Sequence, residues 1–395
     1  MRIWNFNFFL SVVKNTGIFY KTPINLNYWW NFGFLSFFFL IMQIVTGIFL
    51  AMFYNPSILL AFDSIMYINN EIYYGWWLRL LHANGASFFF FCVYIHIFRG
   101  LYYGSFLYPR QLLWISGMLL YVIMMVTAFL GYVLPWGQMS FRGAMVITSL
   151  LSAIPLIGPD LVFLLWGGFT IDDVSLHRFY TLHFLLPFLL LILSIFHVLF
   201  LHEVGSSNPL GILNMYENVS FSPLYLLKDF FSVVIILFIF FIIIFIIPDY
   251  FGHTVNYQKA NFLITPSHIV PEWYLLFFYA ILRSIPGKLM GFFVMFSSLL
   301  ALFLIPIILK DSKIRSSVFK PLFKIFFWIF FFDCILLSWI GGVPVIEPFL
   351  TIGYMLTLLY FVIIFIFFPF SIIFEKIIYD VYILESKKNN NINEL

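Results

Sequence analysis

The sequence predicts an all-α polytopic membrane protein with eight transmembrane helices, the first four forming one four-helix bundle, and three observations lead there. Hydrophobic residues fill 63% of the 395 positions and charged residues only 9%, against roughly 25% charged in a soluble domain. Eight apolar runs reach the ~20 residues that cross about 30 Å of hydrocarbon; they fall near 31–53, 76–103, 112–134, 176–201, 226–247, 288–309, 322–340 and 349–370. None shows the alternation of a membrane barrel, and backbone groups in lipid must pair within their own segment, so the runs read as helices.

The elements follow in order. MRIWNFNFFLSVVKNTG is too short in apolar length for a cleaved signal, and the segment 1–30 reads as a surface helix and approach to the first span. Spans one to four with their loops make a region over 31–210, and spans five to eight a second over 211–380. The end, 381–395, is polar (ESKKNNNINEL) and is expected to be disordered. Loops 135–175 and 248–287 are long and rich in Pro, Gly, Trp and Tyr, and loops of that length are more often functional than idle.

An even number of spans puts both termini on one side. Of the 20 Lys and Arg residues, Arg79, Arg142, Arg178, Lys259, Arg283 and Lys288 fall on the opposite side, leaving fourteen with the termini. The positive-inside rule therefore places the termini in the cytoplasm-equivalent, negative compartment. Both long loops then face the positive side.

Four histidines carry the chemistry. His82 and His96 flank HANGASFFFFCVYIH, and His183 and His197 flank HFLLPFLLLILSIFH, each pair fourteen residues apart. Fourteen helical residues turn about 1,400° and rise about 21 Å, so both members of a pair face one way. Spans two and four start on the positive side, which sets His82 beside His183 there and His96 beside His197 near the negative face. Two imidazoles at one depth suit the two axial positions of a haem iron, and the pattern occurs twice. Gly33 and Gly47 in span one, and Gly117 and Gly131 in span three, repeat the spacing at matching depths. Small residues let a flat macrocycle approach the remaining walls. Arg79 and Arg99 lie one turn outward of His82 and His96, placed to pair with propionates. The two cysteines, Cys92 and Cys334, form no CxxCH motif, so two haems would be noncovalent, and iron–sulfur ligation by this chain is excluded by count.

With WWNFG (29–33), GYVLPWGQMS (131–140), SSNPLGI (206–212) and PEWYLLFFYAILRSIPGK (271–288) added to the histidines, the sequence resembles the cytochrome b family of quinol:cytochrome c oxidoreductases, respiratory complex III, over nearly its whole length. The resemblance implies two b haems, the low-potential one on His82 and His183 and the high-potential one on His96 and His197. It also implies a positive-side ubiquinol-oxidising pocket of Phe129, Tyr132, Gly143, Pro271, Glu272 and Tyr279, and a negative-side ubiquinone-reducing pocket of His202, Ser206, Lys228 and Asp229. Glu272 and Tyr279 would act in the first and His202 and Asp229 in the second. A Rieske-type iron–sulfur protein and a c-type cytochrome are the implied partners, in a dimeric assembly in lipid with no nucleic acid. Arg142 stands where the family pattern GQMSFWG has tryptophan, and Phe277 where PEWYLLPFYA has proline, both beside the outer pocket.

A carboxylate at Glu272, among Pro, Trp and Tyr of a positive-side loop, can accept a quinol proton, and His202 with Asp229 can donate protons on the other face. His177, His253 and His268 have no matched partner and are assigned no cofactor. A dihaem anchor subunit of a dehydrogenase would share the histidines but lack PEWY; a transporter relaying protons through histidines would lack pigment. The Phe, Ile and Asn excess favours a mitochondrial inner membrane over a bacterial one. The chain alone is expected not to turn over.

Overall fold

A computed structural model describes residues 14–212 and 217–393. Among the described residues, eight helices are long and apolar enough to cross a membrane. They are α1 (Phe32–Ala51), α3 (Gly75–Tyr102), α4 (Gln111–Val133), α7 (Asp173–Val204), α8 (Leu224–Ile246), α10 (Lys288–Ile308), α11 (Pro321–Gly342), and a last rod of α12 (Phe349–Val362), a π turn and α13 (Phe368–Asn393). Shorter helices fill the loops: α2 (Ala61–Asn70), α5 (Gln138–Ser149), α6 (Gly158–Trp166) and α9 (Leu276–Ser284).

Local chemistry sets the ends. Asp172 and Ser175 form a reciprocal capping box at the start of α7, satisfying backbone N–H groups that the first turn leaves open. Pro321 opens α11, where its missing N–H costs nothing. Gly167 closes α6 in the left-handed region at φ 74°, which only glycine adopts freely.

The first bundle is two helix pairs, α1 packed on α3 and α4 on α7. The second half packs on the α3 and α4 side, through one continuous core that runs from Phe90, Met118 and Tyr121 to Phe277, Phe330 and Tyr360. Along α7 only Ser175, Leu176, Phe179 and Leu190 are buried. The sole sheet among the described residues is antiparallel, β1 (Lys21–Pro23) on β2 (Asn218–Ser220), with Thr22 opposite Val219. It ties the N-terminal approach to the start of α8.

Most of the expected N-terminal surface helix lies outside the described residues, and Lys14–Ile18 forms a π turn. At the other end α13 runs to Asn393, into the segment 381–395 for which a disordered polar tail is expected. A helix already under way gains one hydrogen bond for each residue fixed, and Glu385, Lys387 and Lys388 are good helix formers.

Candidate functional site

The two histidine pairs meet across the first bundle. His82 on α3 and His183 on α7 have ring centroids 6.1 Å apart with planes at 87°, and His96 and His197 are 6.3 Å apart at 61°. Once the ring radii are subtracted, each gap matches two imidazole–metal bonds of about 2 Å. The Nδ1 contacts decide which nitrogen is free. Thr46 Oγ1 donates to the Met42 carbonyl (2.7 Å) and so accepts from His82 Nδ1 (2.9 Å). Ser116 Oγ donates to Leu113 O (3.0 Å) and accepts from His197 Nδ1 (2.9 Å). His183 Nδ1 donates to Thr127 O (2.8 Å). A proton fixed on Nδ1 leaves the Nε2 lone pair open for a metal. His96 differs, because Arg99 donates to its Nδ1 at 3.1 Å.

Each glycine backs one histidine. A Cβ added at Gly33, Gly47 or Gly117 would stand 3.0 Å from Cε1 of His96, His82 or His197 respectively, and one at Gly131 would strike the His183 ring closer still. The glycines thus first admit the imidazole at their own depth. Span one backs the histidines of span two, and span three those of span four.

Gly47, His82, Gly131 and His183 line one large chamber together with Arg79, Tyr132 and Glu272. Arg79 lies over the Tyr257 ring at 5.8 Å. Arg99 lies over Trp30 at 5.1 Å, and Arg99 Nε and Trp30 Nε1 are buried without a partner. Orphaned donors at the His96–His197 pair are what an anionic edge of a bound group would satisfy.

Phe129, Tyr132, Gly143, Pro271, Glu272 and Tyr279, scattered over some 150 positions, line a single second cavity with Val146, Ile147 and Leu275. Glu272 borders both this cavity and the chamber. Burial pushes its carboxyl up to about 7, against a hydrogen bond from Tyr132 that favours the charged form. Tyr279 donates to the Ile269 carbonyl at 3.2 Å. Arg142 turns its guanidinium to the carbonyls of Phe262 (2.8 Å) and Ile264 (2.7 Å), fastening α5 to the loop that precedes PEWY. Phe277 is buried against Phe278 and Tyr360.

The inner residues are less gathered. His202 stacks on Tyr20 at 4.2 Å and 18°, and Ser206 hydrogen-bonds the Tyr20 hydroxyl. Lys228 Nζ donates to Leu26 O at 2.7 Å and sits over Tyr28, while Asp229 is buried next to it. No hydrogen bond joins His202 to Asp229 among the described residues. The segment 20–28 bridges the two groups.

Several partners were missed by sequence reading: Thr46, Ser116 and Thr127, which set the tautomers, and Trp30 and Tyr20. Thr46–Gly47 and Ser116–Gly117 are hydroxyl–glycine pairs, a signal that was available. Thr127 acts through its carbonyl, which no side-chain pattern reports.

Residues 18–205 match the family model described as cytochrome b/b6/petB, and 259–361 that of cytochrome b(C-terminal)/b6/petD. Cytochrome b of Phytophthora megasperma is 53% identical over 350 residues, 89% of this chain and 91% of the relative. Cytochrome b of Rhodospirillum rubrum is 50% identical over 369 residues, 93% and 91% of the two chains. The solved structure of a hyperthermophilic respiratory complex III contains a chain that aligns with a TM-score of 0.88 at 36% identity, covering 93% of this chain and 98% of that one. With two family models spanning most of its length and relatives this similar, the chain belongs to the cytochrome b family.

Proposed function

We propose that this chain is the dihaem subunit of a respiratory complex III, holding two noncovalent b haems and moving electrons between a ubiquinol-oxidising pocket on the positive side and a ubiquinone-reducing pocket on the negative side. The observation that carries the reading is the pair of facing imidazole sets, three of their four Nδ1 atoms committed to protein acceptors and Nε2 left free. His82 and His183 would hold the low-potential haem, His96 and His197 the high-potential one. When bound, the haems supply one-electron carriers linking the two faces. With two histidines on each haem, the irons would have no open position for oxygen.

The remaining work belongs to side chains. Gly33, Gly47, Gly117 and Gly131 make room for the rings, and Arg79 and Arg99 receive the propionates. Arg99 must release His96 Nδ1 to do so, because a histidine accepting at Nδ1 carries its proton on Nε2, the ligating atom. In the outer pocket, walled by Phe129, Tyr132, Gly143, Pro271 and Tyr279, Glu272 accepts a quinol proton at its carboxylate. Its place on both cavities gives that proton a way out of the pocket. On the negative side His202 and Asp229 deliver protons to the reduced quinone, with Ser206 and Lys228 orienting it.

One electron per quinol leaves to a Rieske-type iron–sulfur protein and a c-type cytochrome, so the chain turns over only within the complex. That complex is a dimer in the mitochondrial inner membrane, with both termini of this chain on the matrix side. Pyridine haemochrome analysis of the purified complex, corrected for c-type haem, should give two haems per chain, all of which acid–acetone removes from this polypeptide. One haem per chain, or pigment left on the polypeptide, would defeat the assignment.

A further inference from the structure

The side of α3 turned away from the histidines grips the PEWY segment, and no catalytic reading has yet used that grip. Ser87, Phe90 and Tyr94 recur at helical spacing, roughly 130° round the axis from His82 and His96. Ser87 Oγ accepts from Trp273 Nε1 at 3.0 Å. Phe90 lies flat on Tyr274, ring centroids 3.9 Å apart at 5°. The Tyr94 hydroxyl donates to the Tyr274 carbonyl, and itself accepts from Tyr121 Oη on α4 at 3.1 Å. Phe90, Tyr121, Tyr274 and Ser87 are all buried. The Tyr121–Tyr94–Tyr274 chain is thus a line of hydrogen bonds in a dry core, where an unmade bond is expensive.

We infer that Tyr94 is a positioning residue for quinol oxidation, its hydroxyl fixing the Tyr274 backbone and through it the carboxylate of Glu272. Glu272 stands two residues before Tyr274 and immediately precedes the short turn Trp273–Leu275 that leads into α9. With φ −58° and ψ 151°, Glu272 is the last extended residue before that turn, so a shift of the Tyr274 peptide swings the carboxylate between its two cavities. Side-chain contacts alone do not hold the turn against such a shift: the Phe90 stack permits sliding in the ring plane, and the Trp273 bond grips the preceding side chain. The Tyr94 bond is the one that grips the backbone. Tyr121 completes it by holding the Tyr94 oxygen, so α3, α4 and the outer pocket share one fixed point.

The inference rests on the proton-accepting role proposed for Glu272, and a double-variant cycle separates the two. Tyr94→Phe, Glu272→Gln and the combined variant are made in the whole complex, and haem reduction is followed before steady state through each pocket with the other blocked. Tyr94→Phe should slow reduction through the outer pocket about tenfold, the order expected when a reacting group is misplaced by a fraction of an ångström. Reduction through the inner pocket and both haem spectra should be unchanged. In the Glu272→Gln background, adding Tyr94→Phe should cost less than about twofold, because groups acting as a unit are not additive. Tyr121→Phe, which leaves the Tyr94 donation in place, should show the same pattern more weakly. Equal slowing through both pockets, or a full multiplicative loss on top of Glu272→Gln, would show that Tyr94 is only structural. A slowed Glu272→Gln beside an unaffected Tyr94→Phe overturns this inference alone, whereas an unchanged Glu272→Gln overturns the reading beneath it. Should Tyr94→Phe fail to assemble, Tyr121→Phe, which removes the bond that holds the Tyr94 oxygen, is carried through the same cycle and judged by the same non-additivity.

Discussion

The proposed outer and inner pockets are built by opposite strategies. Around the outer cavity, wall residues from α4, α5, the PEWY turn and α9 converge on one space, and α3 clamps that turn from behind. In the proposed inner pocket His202 stacks on Tyr20, and Lys228, beside Asp229, donates to the Leu26 carbonyl, so both groups lean on the approach segment. That segment is anchored by a three-residue ladder between β1 and β2. In the proposed function, the carboxylate that takes the quinol proton is thus set in the core, while the residues that meet the reduced product lean on a strap. The difference teaches that rigidity here follows the chemistry of each face and not the symmetry of the histidines.

The comparison breaks most visibly at Gly131. Gly131→Val drives branched carbon into the His183 ring, which the Cβ position alone already meets; overpacking of this kind costs about 1–3 kcal/mol or excludes the ring. The expected outcome is loss of the positive-side haem band and of outer-pocket turnover, with the negative-side band intact in redox-difference spectra. Loss of the other band would mean that the depth order of the pairs is inverted. Next in size, Asp229→Asn should slow quinone reduction about tenfold, since a positioned acid contributes 10²- to 10⁴-fold and His202 remains to replace part of it. Outer-pocket haem reduction in a single turnover should be untouched, and an equal loss there would dissolve the distinction between the pockets.

The smallest effect is a pH profile. Because burial holds the Glu272 carboxyl at about 7 instead of 4.5, it is protonated and unable to accept below that point. The outer rate should rise several-fold from one pH unit below the folded value to one above, and Glu272→Gln should flatten the rise. Stability runs the other way. The unfolded chain sheds this proton near 4.5 and the folded chain near 7, so the folded state binds more protons between them. This group's contribution to stability therefore falls as pH climbs through that window. A thermal-unfolding series comparing the parent complex with Glu272→Gln checks the sign.

The spans and the histidine geometry were legible because fourteen residues nearly complete four helical turns, so one-dimensional spacing fixes a three-dimensional facing. The six outer-wall positions were legible only through resemblance; no periodicity links Phe129 to Tyr279. Short helices such as α2 (AFDSIMYINN) and α5 (QMSFRGAMVITS) were hidden in loops because neither is long enough to register as a span. The α3 clamp was hidden for another reason. Ser87, Phe90 and Tyr94 read as ordinary apolar-run residues until a partner some 180 positions away is placed against them. Arg99 shows the limit from the other side, since a residue one turn from a histidine is as well placed to bond its Nδ1 as to reach outward.

The crossing angles of the imidazole planes carry a last consequence. The His82–His183 planes cross at 87° and the His96–His197 planes at 61°. The orientation of axial ring planes governs how the iron d orbitals split, because each imidazole π system mixes with the orbital lying across its plane. Were each pair to hold a haem as proposed, two irons with the same ligand types would feel different ligand fields, because their ring planes cross at different angles. The electron paramagnetic resonance of their oxidised forms should then resolve as two low-spin signals, with the wider g anisotropy belonging to the pair nearer perpendicular.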